Sequence, residues 1–524
     1  MLTIFLALPS ILVAANAGPV PDPTSLIRDR VDLKPRDLRS PAHAHRARES
    51  REPRAHVFPR KSHELAFETV NNTLDVVGKK EEKALENERH LGGSVILVPP
   101  SKATSHGANA TDASPSSPAP IIAAYYPDWG SAVLSPEDVD FDRFDWIDFA
   151  FAIPNADFGL DFDSAQSKVL LTRLVTAAHA KKKFVKLSVG GWTGSAHFSQ
   201  AVGDEKSRNT FIKNIAAAYS QYNLDGIDID WEYPGVMGES GNSVSPHDTD
   251  NFLTFLRDLR AKLPSSARIS AACQVWPFAD EAGNPKSDIS VFASVLDWIL
   301  LMNYDANGSS STPGSNAPLD DGCHNSTQPF ATARAAVATW TKAGFPASQI
   351  ILGIPSYGYI SQSSATYLHN KRDQDERGQV AFDEKSHDIE LKPPNKSQTG
   401  VQAQDASSST KSLEVENEDG GVGDGQVQFR SLVQQGALKL SSSGKYVGAR
   451  GYRRTWDQCS STPFLRSQTA NQVITYDDPE SLKLKAAFAK EAGLLGVNMF
   501  DAHGDTKTWD LIDAARAGFG LKQA

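Results

Sequence analysis

Cysteine and methionine are scarce in this chain of 524 residues, three and four respectively, and long apolar runs are almost absent. So few cysteines exclude a disulfide-dense scaffold and a thiolate metal cluster. His43, His45 and His56 stand close together without partnering cysteines, so neither a metal nor another cofactor is expected. Positive charge is also short: 53 Lys and Arg stand against 63 Asp and Glu, for a net −10 and a pI near 5.7. That balance argues against nucleic acid as the main partner and suits a neutral polymer such as a polysaccharide. Beyond the N-terminus no stretch reaches the length of a membrane span, and no stable membrane association is expected. No feature signals an oligomer, so a monomer is expected.

The one uncharged apolar run, Met1–Ala14, precedes Ala15-Asn16-Ala17, a small-x-small site. It reads as a secretory signal peptide over 1–17, with a retained signal anchor as the alternative, and predicts a secreted, extracellular or cell-wall protein. Sequons at Asn71, Asn109, Asn307, Asn325 and Asn395 agree with secretion. In an oxidising compartment one cysteine pair is expected. Cys273 falls in a buried-strand pattern, which leaves Cys323 and Cys459 to bridge.

Residues 18–118 are basic, proline-rich and without sustained apolar periodicity, apart from a short helix pattern over 72–88. The end of this arm is rich in Ser, Pro, Ala and Thr, as in a flexible or O-glycosylated linker. The arm reads as mostly disordered: a propeptide, a basic segment touching an anionic wall or membrane surface, or a solvated tail. From 119 to 524 short apolar strands alternate with helices. Strands are expected at 121–125, 146–151, 184–189, 225–231, 268–274, 297–303, 350–354 and 495–500. Helices are expected at 164–181, 207–221, 248–263, 331–343 and 479–492. Eight such units predict a parallel sheet closed as a (β/α)8 TIM barrel, with its site at the C-terminal ends of the strands. The interval before the last strand is too long for one helix. It contains a polar stretch at about 371–425 that reads as a loose loop.

The densest chemistry lies in Leu224-Asp225-Gly226-Ile227-Asp228-Ile229-Asp230-Trp231-Glu232. Strand side chains alternate between faces, so Asp228, Asp230 and Glu232 share one face while Ile227, Ile229 and Trp231 share the other. An edge strand with a solvated acidic face is the bland reading. Turned inward, the three acids repel one another and lose solvent, which keeps one carboxyl protonated near neutral pH as a general acid. Glu232, at the end of the fourth strand, stands where a barrel holds its chemistry.

These residues resemble the D-x-x-D-x-D-x-E signature of family 18 glycoside hydrolases, the chitinase family, at Asp225, Asp228, Asp230 and Glu232. Ser188 with Gly190-Gly191-Trp192 is similar to the end of the family's third strand. Met302-Asn303-Tyr304-Asp305 is similar to M-x-Y-D on the sixth, and Gly353–Gly358 to the seventh, after which the resemblance implies an α+β insertion over about 360–468, broken by the polar stretch. Tyr125, Tyr126 and Phe151 match aromatic positions on the first two strands.

The resemblance implies substrate-assisted retaining hydrolysis of chitin or chitooligosaccharides, an exception to the two-carboxylate scheme. Catalytic roles fall to Glu232 as acid and then base, Asp230 orienting the acetamido N–H, Asp228 sharing a proton with Asp230, and Tyr304 bonding the acetamido oxygen. Tyr125, Phe151, Gly191, Trp192, Met302, Asp305, Tyr357 and Phe500 are implied to bind substrate, with Trp129 and Trp276 as further aromatic floors. Glycines 190 and 191 would let the backbone come close to the sugar. Two positions depart from the family: Phe500 stands where a tryptophan is usual, and Tyr359 where many members have arginine. A chitin-binding lectin and an endo-β-N-acetylglucosaminidase acting on N-glycans are the alternative readings. Whether cleavage is endo or exo is set by loop shape.

Overall fold

The computed structural model describes residues 119–368 and 413–522. The expected signal peptide, basic arm, 72–88 helix and most of the polar stretch at 371–425 lie outside these residues, as do the sequons at Asn71, Asn109 and Asn395. Eight parallel strands close on themselves: β1 (Ile121–Pro127), β2 (Trp146–Pro154), β3 (Phe184–Gly190), β4 (Gly226–Asp230), β5 (Arg268–Cys273), β6 (Trp298–Leu301), β7 (Ile350–Pro355) and β8 (Gly496–Phe500). Each pairs with its chain neighbour, and β8 returns to β1 through Ile121 opposite Gly496, so the barrel has no open edge. The expected (β/α)8 barrel is present.

Helices cover the barrel where apolar faces and caps coincide. In α1 (Ala165–Ala180) Ser164 and Ser167 form a reciprocal capping box, and Leu170, Leu171, Leu174 and Val175 face the strands. Next come α2 (Phe198–Gly203), α3 (Glu205–Gln221) and α4 (Asp248–Lys262). The sequence places the start of α3 at Ser207. Asp204 accepts from the amides of Lys206 and Ser207, so the helix begins two residues sooner. The outer return is completed by α5 (Ala333–Lys342), α7 (Pro479–Glu491) and α8 (Asp510–Phe519), with α6 (Phe429–Gln435) in the insertion.

Register at the N-terminal mouth is set by a repeated aspartate. Asp145, Asp225 and Asp297 each stand one residue before an even-numbered strand and accept the amide of Ile122, Val185 and Ile269 on the preceding strand, at 3.0, 2.8 and 2.8 Å. Each also donates its own amide to the carbonyl of that same residue. Lys183, His179 and Arg268 respectively cover the carboxylates. Before β8 Leu495 takes this place, and only its backbone bonds Ile350. Asp225 therefore belongs to this end, away from the other acids of its motif.

The insertion after β7 is a five-stranded antiparallel sheet with strands ordered 425–428, 357–362, 472–475, 462–467 and 453–457, plus α6 and a short hairpin. It is wider than the expected 360–468, because the chain turns from β7 into the inserted sheet with only Ser356 between. Cys323 and Cys459 form the expected disulfide, joining the loop after β6 to this insertion, while Cys273 is buried and free.

Candidate active site

Strand β4 delivers its acids as the alternation requires. Ile227, Ile229 and Trp231 pack outward into the helices, with Trp231 stacked on Phe198 at 5.2 Å. Asp228, Asp230 and Glu232 turn inward and are all buried. Asp228 is an acceptor on both oxygens: Oδ2 takes the hydroxyls of Tyr125 at 2.9 Å and Ser188 at 2.8 Å, and Oδ1 takes that of Ser270 at 2.5 Å. Asp230 is held differently. Its Oδ1 is buried without a hydrogen-bond partner, and burial, with the charges of Glu232, Asp228 and Asp148, raises its carboxyl well above the usual range. Glu232 is pushed up to about 7, chiefly by burial, while a hydrogen bond from Tyr233 opposes the shift.

Glu232 lies just past the end of β4 and owes its place to its backbone. The Glu232 amide donates to Ser195 Oγ at 2.9 Å, and Asn242 Nδ2 donates to its carbonyl at 3.2 Å. Gly238 is needed here, because a Cβ would stand 2.2 Å from the Glu232 carbonyl oxygen. Gly190 and Gly191 take φ of 117 and 88, and both are closely packed. A Cβ on Gly190 would meet the Asp230 carbonyl at 2.1 Å, and one on Gly191 would meet the Phe151 ring at 3.0 Å. They let β3 close on β4 and on Phe151.

The aromatic residues form a continuous row. Ring centroids run from Trp129 to Phe151 (6.2 Å), Tyr125 (6.2 Å), Phe500 (5.3 Å), Tyr304 (5.9 Å), Tyr357 (6.1 Å) and Tyr359 (6.1 Å). Two aromatics are open: Trp129, at the end of the row, is 55% exposed, and Trp192, 40% exposed and 6.4 Å from Tyr233, has its indole N–H held by Glu239. Tyr125 is 1% exposed, so it serves Asp228 from below and does not offer a surface to a sugar. Met302 packs partly buried on the barrel interior, and Trp276 packs against Phe330, 5.5 Å between centroids. The Tyr304 hydroxyl is kept protonated by burial and by the charges of Asp230, Asp305 and Glu232. Asp305, at φ 57 and open to the cleft, accepts from Tyr357 at 2.6 Å and from Tyr359 at 2.7 Å. Gln426 of the insertion donates to Tyr359 at 3.0 Å. The residue that replaces arginine thus spends its hydroxyl on Asp305.

Beneath the acids lie groups that the sequence reading passed over. Lys186, Asp148, Ser270 and Asn498 form a buried polar layer, with Asn498 Nδ2 donating to Asp148 at 2.8 Å. Burial lifts Asp148 to about 6, with Lys186 opposing and Asp228 adding. Alternation could have found them: Lys186 and Ser188, like Trp146 and Asp148, occupy inward positions between outward apolar residues. Among the described residues no group of three or more His, Cys, Asp or Glu could hold a metal ion.

A protonated carboxyl at the rim of a (β/α)8 barrel, over a second buried carboxyl with an open oxygen and between exposed aromatics, makes a site for general-acid chemistry on a ring-shaped neutral ligand. The model for glycosyl hydrolases family 18 matches residues 121–505, and the chain belongs to that family. It is 36% identical over 409 residues to a chitinase-like effector of Moniliophthora roreri, a match covering 77% of this chain and 94% of that protein. A chitinase-like effector of Moniliophthora perniciosa is 34% identical over 410 residues, covering 77% and 88%. Among solved structures, a chitinase from Rhizomucor miehei superposes with a TM-score of 0.61 at 30% identity, over 76% of this chain and 99% of that one.

Proposed function

We propose that the chain is a secreted, monomeric chitinase that hydrolyses β-1,4-linked N-acetylglucosamine polymers with retention at the anomeric carbon. The observation that carries this reading is the Asp228–Asp230–Glu232 row, whose last member holds a proton near neutral pH and whose middle member has a buried, unpartnered oxygen. Glu232 gives its proton to the glycosidic oxygen as the C1–O bond breaks. The carbonyl oxygen of the substrate's own acetamido group bonds C1 and forms an oxazolinium ion. Asp230 accepts the acetamido N–H on its unpartnered oxygen, and the negative charge of the acid row, Asp228 included, balances the positive charge that develops. Tyr304 donates to the acetamido oxygen. Glu232, now a carboxylate, removes a proton from water as the water oxygen bonds C1 and the bond from C1 to the acetamido oxygen breaks, which restores the acetamido group and releases both products. Phe151, Trp192, Tyr357 and Phe500 supply apolar faces for pyranose rings, and Asp305 accepts from their hydroxyls. The Cys323–Cys459 bridge suits an extracellular setting.

A second reading is capture of chitin oligomers without turnover, favoured by the names of the two Moniliophthora relatives. Glu232 in the acid's place supports the enzyme. The test is mass spectrometry of N-acetylchitohexaose incubated with the full chain and with Glu232→Gln. The enzyme reading expects shorter oligomers from the wild type alone, with the variant still binding the hexamer. An intact hexamer bound equally by both proteins would favour capture, and equal cleavage by both would remove Glu232 from the acid role.

A further inference from the structure

Of the lysines among the described residues, Lys186 and Lys485 are fully buried. Lys485 sits against Asp477 at 2.5 Å, remote from the acid row in the chain and engaged in its own pair. Lys186 rises through the barrel interior, 1% exposed, with its ammonium 4.7 Å from the centre of the Trp298 ring. The ammonium lies 3.2 Å from Asp148 and 3.8 Å from Asp228. It donates to Ser270 Oγ at 2.5 Å, and that hydroxyl in turn donates to Asp228 Oδ1 at 2.5 Å. A Cβ on Gly226 would stand 2.4 Å from the Arg268 carbonyl oxygen and 2.9 Å from Lys186 Cγ, so the glycine inside the acidic motif lets both β5 and the lysine come close to β4.

A buried ammonium is costly to desolvate and persists only where nearby anions repay it. The titratable groups facing it are Asp148 from β2 and Asp228 from β4, with Asp230 above. Tyr125 and Cys273 lie within range of Asp228. The geometry points to Lys186 as a positioning residue that holds Asp228 as a hydrogen-bond acceptor, directly and through Ser270, so that the proton shared by the aspartates resides on Asp230. This rests on the hydrolysis proposed above. With its proton held there, Asp230 stays next to Glu232 and ready for the acetamido group. Asp148 divides the lysine's charge and so moderates its hold on Asp228. Lys186 does not reach the cleft, so it acts on the proton inventory and not on sugar affinity.

The test compares Lys186→Met, Asp148→Asn and the double variant in the full chain. Two readouts are followed: the pH profile of kcat/KM on N-acetylchitohexaose, and carboxyl 13C titration without substrate. Removing the cation favours protonated carboxyls, so Lys186→Met should move the acid limb and the matching 13C midpoint up by about one to three pH units. KM at the optimum should stay within about twofold. Asp148→Asn leaves the whole charge of Lys186 to Asp228 and should move both readouts down, while the double variant returns towards wild type. A folded Lys186→Met with both readouts unmoved would overturn the assignment. If that variant does not fold, Lys186→Gln, which removes the charge but keeps a donor for Ser270, decides: an upward shift supports it, and no shift or a downward one defeats it. A wild type inert towards the hexamer would sink the hydrolase reading alone, and the 13C titration would then decide the role of Lys186.

Discussion

Glu232 is a weak acid because it is buried beside other carboxyls, and its proposed use as a donor rests on that. With its carboxyl pushed up to about 7, the proton is present below that pH and lost above it. We expect kcat/KM to fall about tenfold per pH unit above roughly 7. Activity undiminished to pH 9 would assign the donor to another group. The acid row itself was legible, because a period of two puts Asp228, Asp230 and Glu232 on one face whatever surrounds them. Lys186 and Asp148 obey the same rule but belong to no motif, so nothing in the sequence paired them. That Gly190 and Gly191 let the chain pack closely on Asp230 and Phe151 shows only in the folded chain.

Among elements, the strands show what a motif can conceal. Asp225 opens the acidic signature, yet it ends up at the N-terminal mouth of the barrel, accepting the amide of Val185 and paired with His179. Asp225→Ala should destabilise the protein by about 1–3 kcal/mol, the cost of a buried amide left unpaired. This would be read as a lower urea midpoint, with kcat of the folded enzyme near wild type. Lost kcat with an unchanged midpoint would place Asp225 in the chemistry instead. The eight strands were all legible as apolar runs between turns, and the C-terminal limits of all but β8 differ from expectation by one to three residues. At the start of β4 and β6 the difference is one residue, because Asp225 and Asp297 clamp the neighbouring strand and leave the ladder themselves. Such clamps depend on pairing between strands tens of residues apart, and local patterning does not encode it.

For the molecule as a whole, the barrel followed from alternation alone, whereas the inserted sheet did not. Its strand 357–362 pairs with 425–428 and 472–475, partners remote in the chain, and its arrangement emerges only from tertiary contact. The disulfide closes a separation of 136 residues between the loop after β6 and this insertion. Replacing Cys323 and Cys459 by serine should therefore lower stability by about 2–5 kcal/mol, seen as a reduced Tm. An unchanged Tm would show that packing alone holds the insertion. The central claim is that the substrate's acetamido group, guided by Asp230, attacks the anomeric carbon while Glu232 protonates the leaving oxygen. Time-resolved proton NMR of N-acetylchitohexaose with the wild-type chain tests it most directly. The account predicts that new reducing ends appear first as the β-anomer and only later equilibrate, whereas first appearance of the α-anomer, or of no new reducing ends at all, would contradict it.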